Sequence, residues 1–174
     1  ILNPEVYKYK RKRAEFKKII VSMGGSDTHG VTLKVADAFR SSDYDITIIT
    51  GPSFIHHEEL KSMSNERFRI KRFAPSLLKE CYEYDFAITG GGITPFEFNA
   101  SGLPCVIIAS APHEVENAIF LHKAGSSVYA GFYNEIDYTN IIPKECNIEE
   151  ISTLGMAGIP LNGVEQVYSE IMKL

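Results

Sequence analysis

A chain of 174 residues, 44% hydrophobic and 23% charged, is long enough for one well-packed domain and has the composition of an ordinary globular protein. Its net charge of −4 argues against a general nucleic-acid binder, and no run approaches the ~18 apolar residues of a membrane span or the apolar core of a signal peptide. The 3 cysteines (Cys81, Cys105 and Cys146) are widely spaced and form no CxxC motif, which suggests reduced thiols and a cytoplasmic location.

The chain starts at Ile1 rather than Met, so it reads as a domain excised from a longer protein. Lys8, Lys10, Arg11, Lys12 and Arg13, continued by Lys17 and Lys18, make the first stretch strongly basic. Charge runs are usually solvated, so residues 1–16 are expected to form an interdomain linker, with a nucleic-acid patch as the alternative. The domain proper is then 17–174. Lys18 to Met23 (KIIVSM) is a short apolar run ended by Gly24-Gly25, and Val31, Val35, Ala38 and Phe39 recur at helical spacing. Asp45 to Thr50 predicts a strand closed by Gly51-Pro52, Glu58 to Met63 a helix, and Phe68 to Phe73 a strand closed by Pro75. Leu77, Leu78, Cys81 and Tyr82 give a helical stripe, and Asp85 to Thr89 a strand. Phe96 to Ala100 reads as a short helix stopped by Gly102 and Pro104, and Cys105 to Ala109 as a strand. Val115 to His122 predicts a helix ended by Gly125, Ser127 to Tyr129 a last strand, and Gly163 to Met172 a final helix, with Ile148 and Ile151 in the tail between them. Six short apolar strands alternating with helices predict an α/β fold, an open doubly wound parallel sheet covered on both faces. Ligands of such sheets bind at the carboxyl ends of the strands, where both glycine loops, 24–25 and 90–92, are expected on one rim.

The first loop, Gly24-Gly25-Ser26-Asp27-Thr28-His29-Gly30-Val31-Thr32, nearly fits a P-loop from Gly25 to Thr32. Val31 stands where the lysine would meet the β/γ-phosphates, so an NTPase is not expected, and no GxGxxG fingerprint is present. Either Ser26 or Asp27 caps the following helix, or Gly25, Ser26 and Asp27 contact a ligand. The second loop is more informative. Gly90-Gly91-Gly92 removes every side chain where a strand turns into a helix, and exposes backbone N–H groups at a positive helix end, a place for an anion. Thr94 as N-cap, Pro95 at N1 and Glu97 at N3 would form a capping box. A capping box needs no triple glycine, however, and Glu97 is equally placed to accept from a ribose diol, at about 1.5–3 kcal/mol per charge-assisted bond. The third stretch, Ala109 to Asn117, could read a sugar through His113, Glu114 and Asn117, or could be a surface loop with a helix cap. His56 and His57 are adjacent, and His29, His113 and His122 are scattered, so no metal site or Ser-His-Asp order is expected, and no cofactor.

In this order, Met23 to Asp27 (MGGSD), Ile88 to Glu97 (ITGGGITPFE), Gly102 to Ile108 (GLPCVII) and the polar turn ending at Asn117 resemble the C-terminal domain of GT-B-fold nucleotide-sugar enzymes. The likeness is closest to the group of the pseudaminic-acid-pathway UDP-sugar hydrolase (PseG) and the spore-coat polysaccharide protein SpsG, and more distant to MurG. Leu2 to Tyr7 with Glu15-Phe16 resembles that group's interdomain segment, and Leu161 to Val164 its turn into the last helix. The resemblance covers most of the chain and implies a Rossmann-like sheet of about six strands that binds a UDP- or CMP-sugar. It implies that Gly91, Gly92, Ile93 and Thr94 cradle the diphosphate and that Glu97 holds the ribose. Ile70 to Phe73 would face the base, with the backbone of Arg72 reading its edge. Gly25, Ser26 and Asp27 would approach the phosphate or sugar, and His113, Glu114 and Asn117 the sugar. The sequence departs from the family at Glu116-Asn117, often Asn-Gln, and at Ile93, which precedes Thr94. The family keeps its general base, a histidine, in an N-terminal domain outside this chain. The chain alone is therefore expected to bind without turnover. Its parent would be an inverting hydrolase or glycosyltransferase of surface-polysaccharide or nonulosonic-acid biosynthesis. A non-catalytic binding or regulatory module is the alternative.

Overall fold

The computed structural model describes residues 2–143, 146–160 and 162–173, so Leu161 of the tail motif lies outside the described residues. The strands are β1 (Lys18–Ser22), β2 (Asp45–Ile49), β3 (Phe68–Lys71), β4 (Phe86–Gly90), β5 (Cys105–Ala109) and β6 (Ser127–Phe132). The helices are α1 (Val31–Phe39), α2 (His57–Ser62), α3 (Leu77–Cys81), α4 (Thr94–Ala100), α5 (Pro112–Lys123), α6 (Ile148–Gly158) and α7 (Gly163–Ile171), with 3-10 turns at Pro4–Tyr9 and Tyr138–Asn140. Among the described residues the six strands form one sheet of order β3-β2-β1-β4-β5-β6, paired in parallel throughout.

The apolar runs are continuous because both faces of the sheet are covered. Ile19, Val21, Ile46, Ile48, Phe86, Ile88, Val106 and Ile108 pack on the face that holds α1, with Val31, Val35 and Phe39. Ile20, Ala87, Cys105 and Ile107 alternate to the other face, against Leu78, Phe98 and Leu121 of α3, α4 and α5. From β1 the chain winds outward through β2 to β3, and from β4 in the opposite direction through β5 to β6. The β1–β4 boundary is thus the topological switch point of the sheet. Ser22 lies opposite Thr89 in register, so the loops after β1 and β4 share the carboxyl rim, as the sequence predicts.

Three departures from the sequence-based expectations have physical causes. The helix α6 was not predicted, because Ser152, Thr153, Gly155 and Gly158 dilute its apolar pattern. Gly155 is there for packing: a Cβ on it would sit 2.9 Å from the Asn99 carbonyl oxygen, so only glycine lets α6 rest on α4. The strand β6 runs to Phe132, past the predicted Tyr129, across a bulge. Tyr129 faces Ile107 but Gly131 faces Ile108, which leaves Ala130 as the extra residue. In the basic lead-in all five lysines are exposed as expected, but Arg13 is buried and Val6 is fully enclosed. No helix of the described residues is long and apolar enough to cross a membrane.

Candidate functional site

The rim site is built on the exit of β4. None of Gly90, Gly91 and Gly92 has a positive φ, so backbone freedom does not explain them. Space does. A Cβ on Gly91 would lie 2.6 Å from both the Cβ and the carbonyl oxygen of Glu114, so this glycine lets α5 approach the loop. A Cβ on Gly90 would make ordinary contact with the Glu114 carboxylate at 3.6 Å, and one on Gly92 would meet nothing within 4 Å. The triple glycine therefore divides: Gly91 serves the protein's own packing, and Gly92 faces open space.

The expected capping box does not form. The turn through Gly92 delivers Ile93 already in the right-handed helical region (φ −80, ψ −26), so the helix starts one residue early. Ile93 becomes the N-cap and Thr94 the first helical residue, without a side-chain cap hydrogen bond. The N–H of Glu97 bonds to the Ile93 carbonyl at 3.2 Å as an ordinary helical turn. Among the described residues no acceptor pairs with the N–H groups of Gly92, Ile93 and Thr94, nor any donor with the Glu97 carboxylate. Glu97 is half-buried, and that burial raises its pKa above the ordinary carboxylate value. Below it on β4, the Thr89 hydroxyl is buried without a partner among the described residues.

Neighbouring elements fix this loop. Asn117 Nδ2 donates to the Gly91 carbonyl at 2.8 Å and ties the loop to α5. Glu114 Oε2 accepts from the N–H of Ser110 at 2.7 Å and from its hydroxyl at 3.0 Å, closing the first turn of α5. His113 beside them is exposed. In the first glycine loop Asp27 takes φ +45, and its two oxygens accept from the N–H groups of Val31 (2.9 Å) and Thr32 (2.7 Å). Asp27 is thus the cap of α1. Ser26 is exposed, its hydroxyl 3.2 Å from that of Thr28, and the Gly25 carbonyl accepts from the N–H of Ser53 at 3.0 Å. After β3 the Arg72 carbonyl accepts from the Thr50 hydroxyl at 3.3 Å, while its guanidinium meets Glu58 at 3.2 Å. Phe73 is 64% exposed, and the chain continues into α3, which packs against α4.

Two features were missed from the sequence. One is Thr89, read only as strand. The other joins loops far apart in the chain: the His29 ring stacks on Tyr133 at 4.2 Å, and Lys34 Nζ lies 5.1 Å over Tyr133 and 5.7 Å over Tyr138. No periodicity links residues that meet only when the sheet is assembled. A concavity of about 480 Å³ lies at the opposite end of the sheet, lined by Arg11, Lys17, Lys18, Tyr82 and Asp85 among others. Part of its charge is paired: Arg11 meets Asp85 at 3.2 Å, and Lys17 meets Glu15 at 3.3 Å. Within the described residues the rim alone joins unpaired backbone N–H groups at a helix start to an unpaired half-buried carboxylate and the buried Thr89 hydroxyl, and we place the candidate site there. Among the described residues no His, Cys, Asp and Glu side chains cluster as metal ligands.

No family model matches the chain. It is 31% identical over 121 residues to an uncharacterized protein of Methanocaldococcus jannaschii, covering 62% of this chain and 25% of that protein. It is 23% identical over 158 residues to the spore coat polysaccharide biosynthesis protein SpsG of Bacillus subtilis, covering 86% of this chain and 44% of that protein. The chain thus spans less than half the length of these two curated relatives. Among solved structures, MurG of Acinetobacter baumannii superposes with a TM-score of 0.74 at 16% identity, over 97% of this chain and 53% of that one. The glycosyltransferase VinC, solved in complex with dTDP, superposes with a TM-score of 0.61 at 11% identity, over 97% of this chain and 44% of that one. The fold is that of the GT-B glycosyltransferases. In fold the chain is like the C-terminal domain of such enzymes.

Proposed function

We propose that this chain is the nucleotide-sugar-binding domain of a hydrolase or glycosyltransferase of surface-polysaccharide or nonulosonic-acid biosynthesis, and that its ligand is a UDP-sugar, with a CMP-sugar as the other candidate. The observation that carries the proposal is the pairing, on one short stretch, of uncommitted N–H groups at Gly92, Ile93 and Thr94 with an uncommitted half-buried carboxylate at Glu97. Three donors suit a diphosphate. A carboxylate one turn further along the helix would be repelled by phosphate but suits a ribose diol. In this arrangement Gly91, held by Asn117, sets the loop, and Gly92 admits the diphosphate. Phe73 and the backbone of Arg72 meet the base. Gly25, Ser26 and Asp27 on one side and His113, Glu114 and Asn117 on the other bound the sugar. Asp27, Glu114 and Asn117 do so from positions set by their own hydrogen bonds.

The chemistry would be displacement at the anomeric carbon with inversion. An oxygen nucleophile attacks, the bond to the diphosphate oxygen breaks, and the loop's N–H groups take up the charge on the departing nucleotide. The nucleophile's proton needs a base within hydrogen-bond reach. We assign that base to a preceding N-terminal Rossmann-like domain, joined through residues 1–16. The chain by itself then binds without turnover.

Calorimetric titration of UDP, CMP and their sugars tests the proposal. Saturable binding of one nucleotide series is expected, with Glu97→Ala weakening the nucleoside diphosphate ~10–100-fold and leaving inorganic pyrophosphate unchanged. No saturation by any of them below the millimolar range overturns it.

A further inference from the structure

The basic lead-in contains one side chain that folds entirely into the protein. Arg13 is 1% exposed and has no carboxylate partner among the described residues. Its guanidinium donates instead to four main-chain carbonyls: Nε to Tyr84 (3.3 Å), Nη2 to Cys81 (2.9 Å), and Nη1 to Arg11 (2.6 Å) and to Ser101. Its own N–H donates to the Ser152 hydroxyl at 3.0 Å, which donates to the Gly102 carbonyl at 2.6 Å. Arg11 adds a second tie, its N–H donating to the Ser101 carbonyl at 3.0 Å. Cys81 ends α3 and Ser101 follows the last residue of α4. The guanidinium therefore sits on the C-terminal carbonyls and negative ends of two helices. A planar fork of donors suits this; the point charge of a lysine does not. Burial without a counter-charge lowers the Arg13 pKa to about 10, so it remains charged at neutral pH.

The helix held in this way is the one that carries the candidate ribose ligand. α4 is seven residues long, and the N–H of Ser101 donates to the carbonyl of Glu97 at 3.0 Å. Arg13 grips the foot of α4, and Glu97 stands one turn above it. Resting on the function proposed above, we propose that Arg13 is a positioning residue that fixes α4 so that Glu97 meets the ribose, which couples the lead-in segment to the nucleotide site. Any displacement of the chain ahead of Arg13 is then felt at Glu97 through two consecutive hydrogen bonds.

A merely structural staple would lower stability and leave ribose recognition alone, so the test reads recognition. Arg13→Lys is compared with the wild type for binding of UDP and 2′-deoxy-UDP by calorimetry, and the Glu97 carboxyl is titrated by NMR without ligand. The wild type is expected to prefer UDP by ~10-fold or more, as charge-assisted bonds to a diol require. In Arg13→Lys the preference is expected to collapse to under ~3-fold, while 2′-deoxy-UDP affinity stays within ~2-fold and the Glu97 midpoint falls toward the ordinary carboxylate value as its burial loosens. Retained preference, or equal loss of both nucleotides with an unmoved Glu97 midpoint, overturns the proposal. If Arg13→Lys does not fold, Ser152→Ala removes the main-chain anchor and keeps the guanidinium. It is expected to shift preference and midpoint in the same direction by a smaller amount, and no shift in either overturns the coupling. A wild type that binds neither nucleotide, or binds both equally, overturns the functional assignment of Glu97 itself and the proposal with it.

Discussion

Glu97 holds a half-buried carboxylate with no donor from the described protein, an arrangement that works against folded-state stability. Its raised pKa means that the folded state binds its proton more tightly than the unfolded state. The stabilising contribution is present below the unfolded carboxylate pKa and is lost as pH rises through the folded one. Glu97→Gln is therefore expected to raise the Tm at pH 7, with the gain shrinking as pH falls into the carboxylate range; thermal melts across pH check this. Such a residue, costly to the fold and retained at a rim, is the kind a ligand site keeps. The glycines separate in the same way. Gly91→Ala places a methyl 2.6 Å from Glu114 and is expected to cost ~1–3 kcal/mol of stability by denaturant unfolding. Gly92→Ala meets nothing within 4 Å and is expected to leave stability unchanged while weakening nucleotide binding. From the sequence the three glycines look equivalent, because the difference between them lies in Glu114, which α5 brings in after the neighbouring strand β5.

At the scale of elements, the strands were legible because burial on both faces writes an unbroken apolar run. Helix starts were less so. Thr94-Pro95 with Glu97 has the residues of a capping box, yet the glycine turn starts the helix at the wrong phase for one. Asp27 was one of two candidate caps for α1 and takes that role with both oxygens. Asp27→Ala is expected to cost ~1–2 kcal/mol, since it removes both acceptors and leaves Ala in a left-handed conformation. Asn, which tolerates that conformation and keeps one acceptor, should recover part of the loss. The helix α6 left little pattern because Gly155 is selected for contact with Asn99 and not for helicity. Arg13 was hidden in a charge run whose lysines do face solvent. Only the carbonyls that α3 and α4 present at their ends distinguish it.

For the whole molecule, the sheet order β3-β2-β1-β4-β5-β6 puts the switch point between β1 and β4, and both glycine loops converge there. Their placement on one rim followed from the alternation of strands and helices. The contact of His29 with Tyr133, which links the loops after β1 and β6, needed the assembled sheet. The rim offers donors for a diphosphate and an acceptor for hydroxyls, and we assign the base for catalysis to another domain. Nucleotide sugars incubated with this chain are accordingly expected to be recovered intact, with no free nucleotide appearing on chromatography.

In the proposed function the free N–H groups of the β4–α4 turn receive the diphosphate. An amide NMR titration with UDP reads those groups directly. Saturable shifts are expected, largest at Gly92, Ile93 and Thr94, with Glu97 following. Saturable shifts centred on Arg11, Lys17 and Lys18 at the opposite end of the sheet, or no saturable shifts at all, would contradict the proposed function.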